Sequence, residues 1–268
     1  MQATILMSLA VGTFVGSAAG YVGSIMVSKR MALVGDALSH VALPGLALGL
    51  LLNFNPFLGA FAFLATTAVI TWYVEKSTAL SAEAIIGVLF VLALAIGILI
   101  TPQVDLLDAL FGNISSVTIV DVIVTAVISV SVVLAVRAVY PKIALSMVSK
   151  ELAVSSGIKV ERINLIYLLL VVTVVAVGIK EVGTLLVGAV VIVPAAAARN
   201  ISSTLSRYSM TSALFGLVSA IAGVVLSGFV AVPAGPLVVI TGAALFAVTF
   251  VARRASYSRQ TATSGEER

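Results

Sequence analysis

The chain has 268 residues, 61% of them hydrophobic and 10% charged, with a formal net charge of +4. An average soluble domain carries roughly 25% charged residues, so this chain cannot cover itself with polar side chains, and a soluble catalytic domain is excluded. It contains no cysteine, which removes disulfides, thiolate metal sites and cysteine nucleophiles together.

A bilayer core about 30 Å thick takes about 20 apolar residues per helical span. Breaking the sequence at charges, Pro and Asn leaves nine apolar segments, at 4–27, 31–52, 57–74, 84–101, 118–139, 165–179, 182–198, 209–231 and 236–252. The first has no basic region before it and exceeds the length of a signal core, so it reads as a span and not as a cleaved leader. The sixth and seventh are short and separated only by Lys180 and Glu181. Two spans, or one span with a re-entrant element, both fit, so the expected fold is an all-α polytopic transmembrane bundle of eight to nine spans. The transmembrane domain covers 1–255, a cytoplasmic loop at about 140–164 has room for a short surface helix, and a Ser-, Thr-, Arg- and Glu-rich tail at 256–268 is expected to be disordered.

Short cytoplasmic loops retain Lys and Arg. With nine spans and the N-terminus outside, fourteen of the fifteen Lys and Arg residues fall on the cytoplasmic side, Lys180 alone falls outside, and the C-terminus is inside. Topology accounts for the basic charge, and nucleic acid has no part in it. On the outer side, the loop from Pro102 to Val117 carries Asp105 and Asp108 and no basic residue. Two readings fit these carboxylates: they collect cations or dock a partner, or they are ordinary solvated loop residues.

The only histidine, His40, stands four residues after Asp36 in GDALSHVALPG. On a helix, positions i and i+4 share a face, so a carboxylate and an imidazole point the same way inside a span. Pro44 has no N–H to meet the carbonyl of His40, which frees a backbone oxygen at the same level. Such a set suits several divalent cations. The competing reading makes Asp36 a residue that snorkels to the cytoplasmic end and His40 a satisfied packing residue, yet ionisable groups within a span are costly and mark pathways by default. Glu181, at the outer mouth with Lys180 beside it as an ion-pair partner, is either a solvated turn residue or a gating and cation-attracting one. Gly183, Thr184 and Pro194 in the following stretch imply close packing and a broken or kinked helix.

Some signatures are missing. There is no GxxxxGK[ST], no HExxH and no second histidine, so neither nucleotide hydrolysis nor an intramembrane zinc hydrolase has its residues here. The chain is not expected to be an enzyme, and ATP, if it drives anything, is hydrolysed by another subunit.

The stretch GDALSHVALPGLALGLLLNFNP resembles the permease subunits of ATP-binding cassette importers for metal ions, the class that serves zinc, manganese and iron. QVDLLDALFGNI, VGTLLVGAVVIVPAAAAR and VPAGPLVVI agree in order and spacing, so the resemblance covers nearly the whole chain. In the cytoplasmic loop, ELAVSSG supplies Glu151, Ala153 and Gly157 in a Glu-x-Ala-x-x-x-Gly pattern similar to the element by which such permeases engage their ATPase. The resemblance implies a homodimer in the cytoplasmic membrane, two cytoplasmic ATPase subunits, and an extracytoplasmic binding protein that delivers the metal. It implies no permanently bound cofactor, the ion being cargo. Asp36 and His40 match the family's intramembrane metal contacts, and Glu181 is carried over with them. One departure is the single histidine, since oxygen-rich contacts suit manganese or iron as readily as zinc. Three alternatives remain: a secondary cation transporter using Asp36 and Glu181 as ion sites, a permease for a siderophore or vitamin, and an intramembrane enzyme, which lacks a nucleophile and base.

Overall fold

The computed structural model describes the backbone of residues 2–100, 117–230 and 232–266, and side chains from 6 to 254 within those ranges except that of Glu181. Asp105 and Asp108 lie outside the described residues. Among the described residues the regular structure is entirely helical. In chain order the elements are α1 (Gln2–Ser28), α2 (Ala32–Leu51), α3 (Pro56–Ser77), α4 (Ala82–Ile100), α5 (Ile119–Val148), α6 (Lys150–Ser155), α7 (Val160–Arg199), α8 (Leu205–Val230) and α9 (Ala234–Glu266).

Nine segments among the described residues are long and apolar enough to cross a membrane, because α7 holds two of them, Val160–Lys180 and Val182–Arg199. α7 is two helices joined at Gly183, whose φ of 76° and ψ of 171° are open essentially to glycine alone. On a continuous helix Gly178 and Val187 would be about 13 Å apart, yet a Cβ on Gly178 would collide with the Val187 side chain. The two halves therefore fold back on each other as separate antiparallel spans, which decides between the two readings of this region.

Contacts across the bundle sort the connections into two ends. Lys76 pairs with Glu161 at 3.4 Å and the Lys29 ammonium donates to Asn164 Oδ1 at 2.9 Å, which gathers the ends of α1 and α3 with the start of α7. This end also carries α6 and most of the Lys and Arg residues. At the opposite end Lys180 reaches Asp121 of α5 at 2.5 Å.

α1, α2 and α7 form the interior. Lipid tails are as apolar as leucine, so helices in a bilayer associate through small residues and interhelical hydrogen bonds more than through burial. α1 meets α8 in this way: Gly16 stacks on Gly216, the Ser212 hydroxyl donates to the Gly20 carbonyl at 2.5 Å, and the Ser24 hydroxyl donates to Ser209 at 2.8 Å. α4 and α5 lie at the periphery with Val88, Leu99, Val127 and Leu134 turned outward, Leu99 being 84% exposed. Those faces suit lipid.

Three boundaries differ from expectation. α5 passes Pro141 and ends at Val148 instead of near 139, because proline removes only the bond to the Arg137 carbonyl and residue 141 lies past the apolar stretch. α7 begins at Val160, its polar first turn included. α9 continues to Glu266, past Ser256 where the composition predicts a disordered tail; between Gly242 and Gly265 nothing in the sequence breaks a helix. The 140–164 stretch does hold a short helix, α6.

Candidate functional site

Asp36 lies little more than one turn inside the basic end of α2 and His40 one turn deeper. Asp36 is exposed and His40 half-buried. Asp36 owes its place to Gly188 in the second half of α7. A Cβ on Gly188 would stand 2.5 Å from Asp36 Cα and 2.7 Å from its Oδ1, so only a residue without a side chain lets α2 come this close. The imidazole of His40 packs against Phe90 of α4, with centroids 5.5 Å apart and planes tilted by 52°. Its Nδ1 is buried without a hydrogen-bond partner. A packing histidine normally satisfies such a nitrogen; this one is left unpartnered among the described residues.

Pro44 sits inside α2, with Gly97 of α4 close against it: a Cβ there would be 3.4 Å from the Pro44 ring. α4 thus covers the level at which the His40 carbonyl has lost its helical N–H partner. Among the described residues no three His, Asp or Glu side chains gather into a group able to hold a metal ion. One carboxylate and one imidazole do not by themselves complete a metal's coordination shell.

Position 181 falls at the sharp turn between the two halves of α7, but the Glu181 side chain is outside the described residues. Lys180 does not need it as a partner: its ammonium binds Asp121 Oδ1 of α5. Asp121 also accepts from the Thr118 N–H at 2.9 Å, while Thr118 Oγ1 accepts from the Asp121 N–H at 3.3 Å. This reciprocal capping box holds the start of α5. Sequence reasoning missed Asp121 entirely, although Thr-x-x-Asp ahead of an apolar run is a legible signal.

At the basic end, Ser149 caps α6 by accepting from the Leu152 N–H at 3.2 Å, and its hydroxyl donates to Glu151 at 2.9 Å. The backbone N–H of Glu151 and then the Ser149 hydroxyl hold that carboxyl below its ordinary value. Ala153 is fully buried. Gly157 has φ +77°, with Ile158 N–H bonded to the Ala153 carbonyl and Gly157 N–H to that of Val154. That is a Schellman cap, which calls for glycine at this position. Val148, Leu152 and Val154 stand exposed around the helix, an apolar knob at the polar end of the molecule.

A family model described as the ABC 3 transport family matches residues 1–253. The chain is 34% identical over 248 residues to the manganese transport system membrane protein MntC of Halalkalibacterium halodurans, covering 91% of this chain and 85% of that one. It is 30% identical over 236 residues to the high-affinity zinc uptake system membrane protein ZnuB of Haemophilus influenzae, covering 86% and 90%. Its fold is similar to that in the structure of PsaBC from Streptococcus pneumoniae in complex with Fab, with a TM-score of 0.80, 30% identity, and coverage of 91% of this chain and 89% of that one.

Proposed function

Because this chain belongs to the ABC 3 transport family, we propose that it is the permease subunit of an ATP-binding cassette importer that passes manganese or zinc through the cytoplasmic membrane. Relatives named for each of the two ions support the metal class. The observation that carries the intramembrane step is the pair on one face of α2: Asp36, against Gly188, and His40, whose buried Nδ1 has no partner. Asp36 and His40 would contact the ion as it moves between two copies of the chain, and Glu181 at the outer turn would meet it first.

ATP hydrolysis would belong to separate cytoplasmic subunits that grip the chain at α6. The buried Ala153 anchors that helix, Gly157 ends it sharply, and Leu152 and Val154 offer an apolar surface for docking. The basic end then faces the cytoplasm with the C-terminus, the N-terminus is outside, and a binding protein delivers the ion at the outer end, where Asp105 and Asp108 would assist. Movement of α6 would open the path to alternate sides, and the sparse ligand set lets the ion leave.

The test is ATP-dependent uptake of manganese, zinc and iron(II) by the chain reconstituted with its ATPase and binding protein, comparing wild type with Asp36→Ala and His40→Ala. Uptake that needs ATP and collapses in both variants while the complex still assembles is the expected result. Uptake without the ATPase would instead favour a gradient-driven transporter, and unimpaired variants would remove Asp36 and His40 from the path.

A further inference from the structure

At the basic end, a cavity of about 280 Å³ opens between the α1–α2 turn, the α3–α4 turn and the start of α7. Two cations and two carboxylates line it: Lys29, Arg30, Glu75 and Glu83. The Lys29 ammonium makes its close contacts with Asn164 Oδ1 at 2.9 Å and the face of Tyr167 at 5.1 Å, while Glu75 acts on it through its charge, so the ammonium can still meet an anion. Arg30 occupies the left-handed position that ends α1, with φ +59°. The Met31 N–H reaches the Met26 carbonyl and the Arg30 N–H that of Val27, a Schellman cap where glycine is the usual residue. An arginine kept there against its backbone preference points to a use for its side chain at the cavity rim.

We propose that this cavity binds the headgroup of a phospholipid carrying a primary ammonium, of the phosphatidylethanolamine type. The phosphate would lie on Lys29 and Arg30 and the ammonium on Glu75 and Glu83. The balanced lining argues for a zwitterion: a lone anion would face two carboxylates, and a lone cation would face Lys29 and Arg30. The volume is near the lower end of ligand pockets, about 300 Å³, which suits a headgroup with its acyl chains outside. Exposed Leu33 and Leu80, just beyond Met31 and just before Ser81, offer those chains an apolar surface. The site also lies past the last apolar turn of α1, on the side where the Trp72 indole N–H donates to the Glu161 carbonyl at 3.0 Å and the Lys76 ammonium sits over the Trp72 ring, an aromatic and a cation of the kind that mark a membrane interface.

The experiment is native mass spectrometry of the full chain released from micelles containing equal amounts of phosphatidylethanolamine, phosphatidylcholine and phosphatidylglycerol. We expect retention of phosphatidylethanolamine over the other two by about tenfold, the worth of one hydrogen bond to a charged group. Phosphatidylcholine has no N–H to offer the carboxylates, and phosphatidylglycerol has no cation. Glu83→Gln, on an exposed residue, should abolish the preference, and Arg30→Gly, which suits the left-handed backbone, should lower retention of all three phosphate-bearing lipids alike, while the melting temperature in lipid-free micelles holds or rises in both. Equal retention of the three lipids by wild type, an undiminished preference in Glu83→Gln, or undiminished retention in Arg30→Gly would overturn the proposal.

Discussion

Adding a single methyl group at Gly188 tests whether helix approach positions the cation site. In Gly188→Ala the new carbon falls 2.5 Å from Asp36 Cα, 2.7 Å from its Oδ1 and 2.9 Å from its Cβ. Non-bonded carbons rest at about 3.5–4.0 Å, so α2 and α7 must part by about 1 Å. The carboxylate can rotate away, but the Cα cannot. Overpacking of this kind costs about 1–3 kcal/mol. It also moves Asp36 by more than the ~0.5 Å that a functional constellation tolerates, and a misplacement of about 1 Å can cost about 100-fold in rate. ATP-dependent uptake by the reconstituted complex should therefore fall by one to two orders of magnitude, further than a mild loss in melting temperature would explain. Gly87→Ala is the control, since nothing lies within 4 Å of its new methyl and alanine favours the helix by about 1 kcal/mol. If Gly188→Ala transported like wild type and melted like Gly87→Ala, the contact with α7 would not be what positions Asp36.

Gly157→Ala meets no steric obstacle but forces alanine into the left-handed region, costing about 1 kcal/mol; we expect weakened ATPase association in a pull-down and unchanged metal contacts. Asp121→Asn should destabilise the chain more than Lys180→Gln in a denaturant titration. The exposed ion pair is worth about 0.2–1 kcal/mol, while Asp121 also serves the Thr118 capping box. Burial pushes Lys29 below its ordinary value of 10.5, with Glu75 opposing. Between the lowered value and 10.5 the folded chain binds fewer protons than the unfolded one, so stability should rise with pH through that window. Melting curves from about pH 7 to about pH 10 should show that slope in wild type and lose part of it in Lys29→Met, with Arg30, Glu75, Glu83 and Tyr167 left in place.

The bundle was legible because the code for a membrane span is coarse: an apolar run between charges places a helix, though not its ends. The turn at Gly183 was only half legible. The sequence shows a glycine after two charged residues, but not that its φ and ψ reverse the chain. Asp36 and His40 stood out because ionisable groups are rare in spans, and their shared face follows from helical periodicity. What holds them was hidden. Gly188 against Asp36 and Phe90 against His40 join positions well separated in sequence, and only the packing of α2 on α4 and α7 shows the match. Lys180 illustrates the same limit: its neighbour in sequence is Glu181, but its bound partner, Asp121, is on another helix. Lys29, Arg30, Glu75 and Glu83 read as ordinary loop charges, since nothing in a linear pattern shows that three connections converge on one cavity.

The sparseness of the cation site bears on how the ion would be released. A structural zinc cage closes four ligands around the metal and holds it, whereas this chain presents Asp36 on its surface beside one half-buried imidazole. In the proposed homodimer the site would be completed across the interface, one carboxylate and one imidazole from each copy. Ligands shared in this way bind together only while the two α2 helices face each other. A displacement too small to unpack either protomer would then halve the ligand count and weaken the grip on the ion. Because Asp36 rests on Gly188 in the second half of α7, that displacement would pass from α6 along the first span of α7 and through the turn at Gly183. On this arrangement, opening the cytoplasmic side and lowering the affinity for the ion are one event.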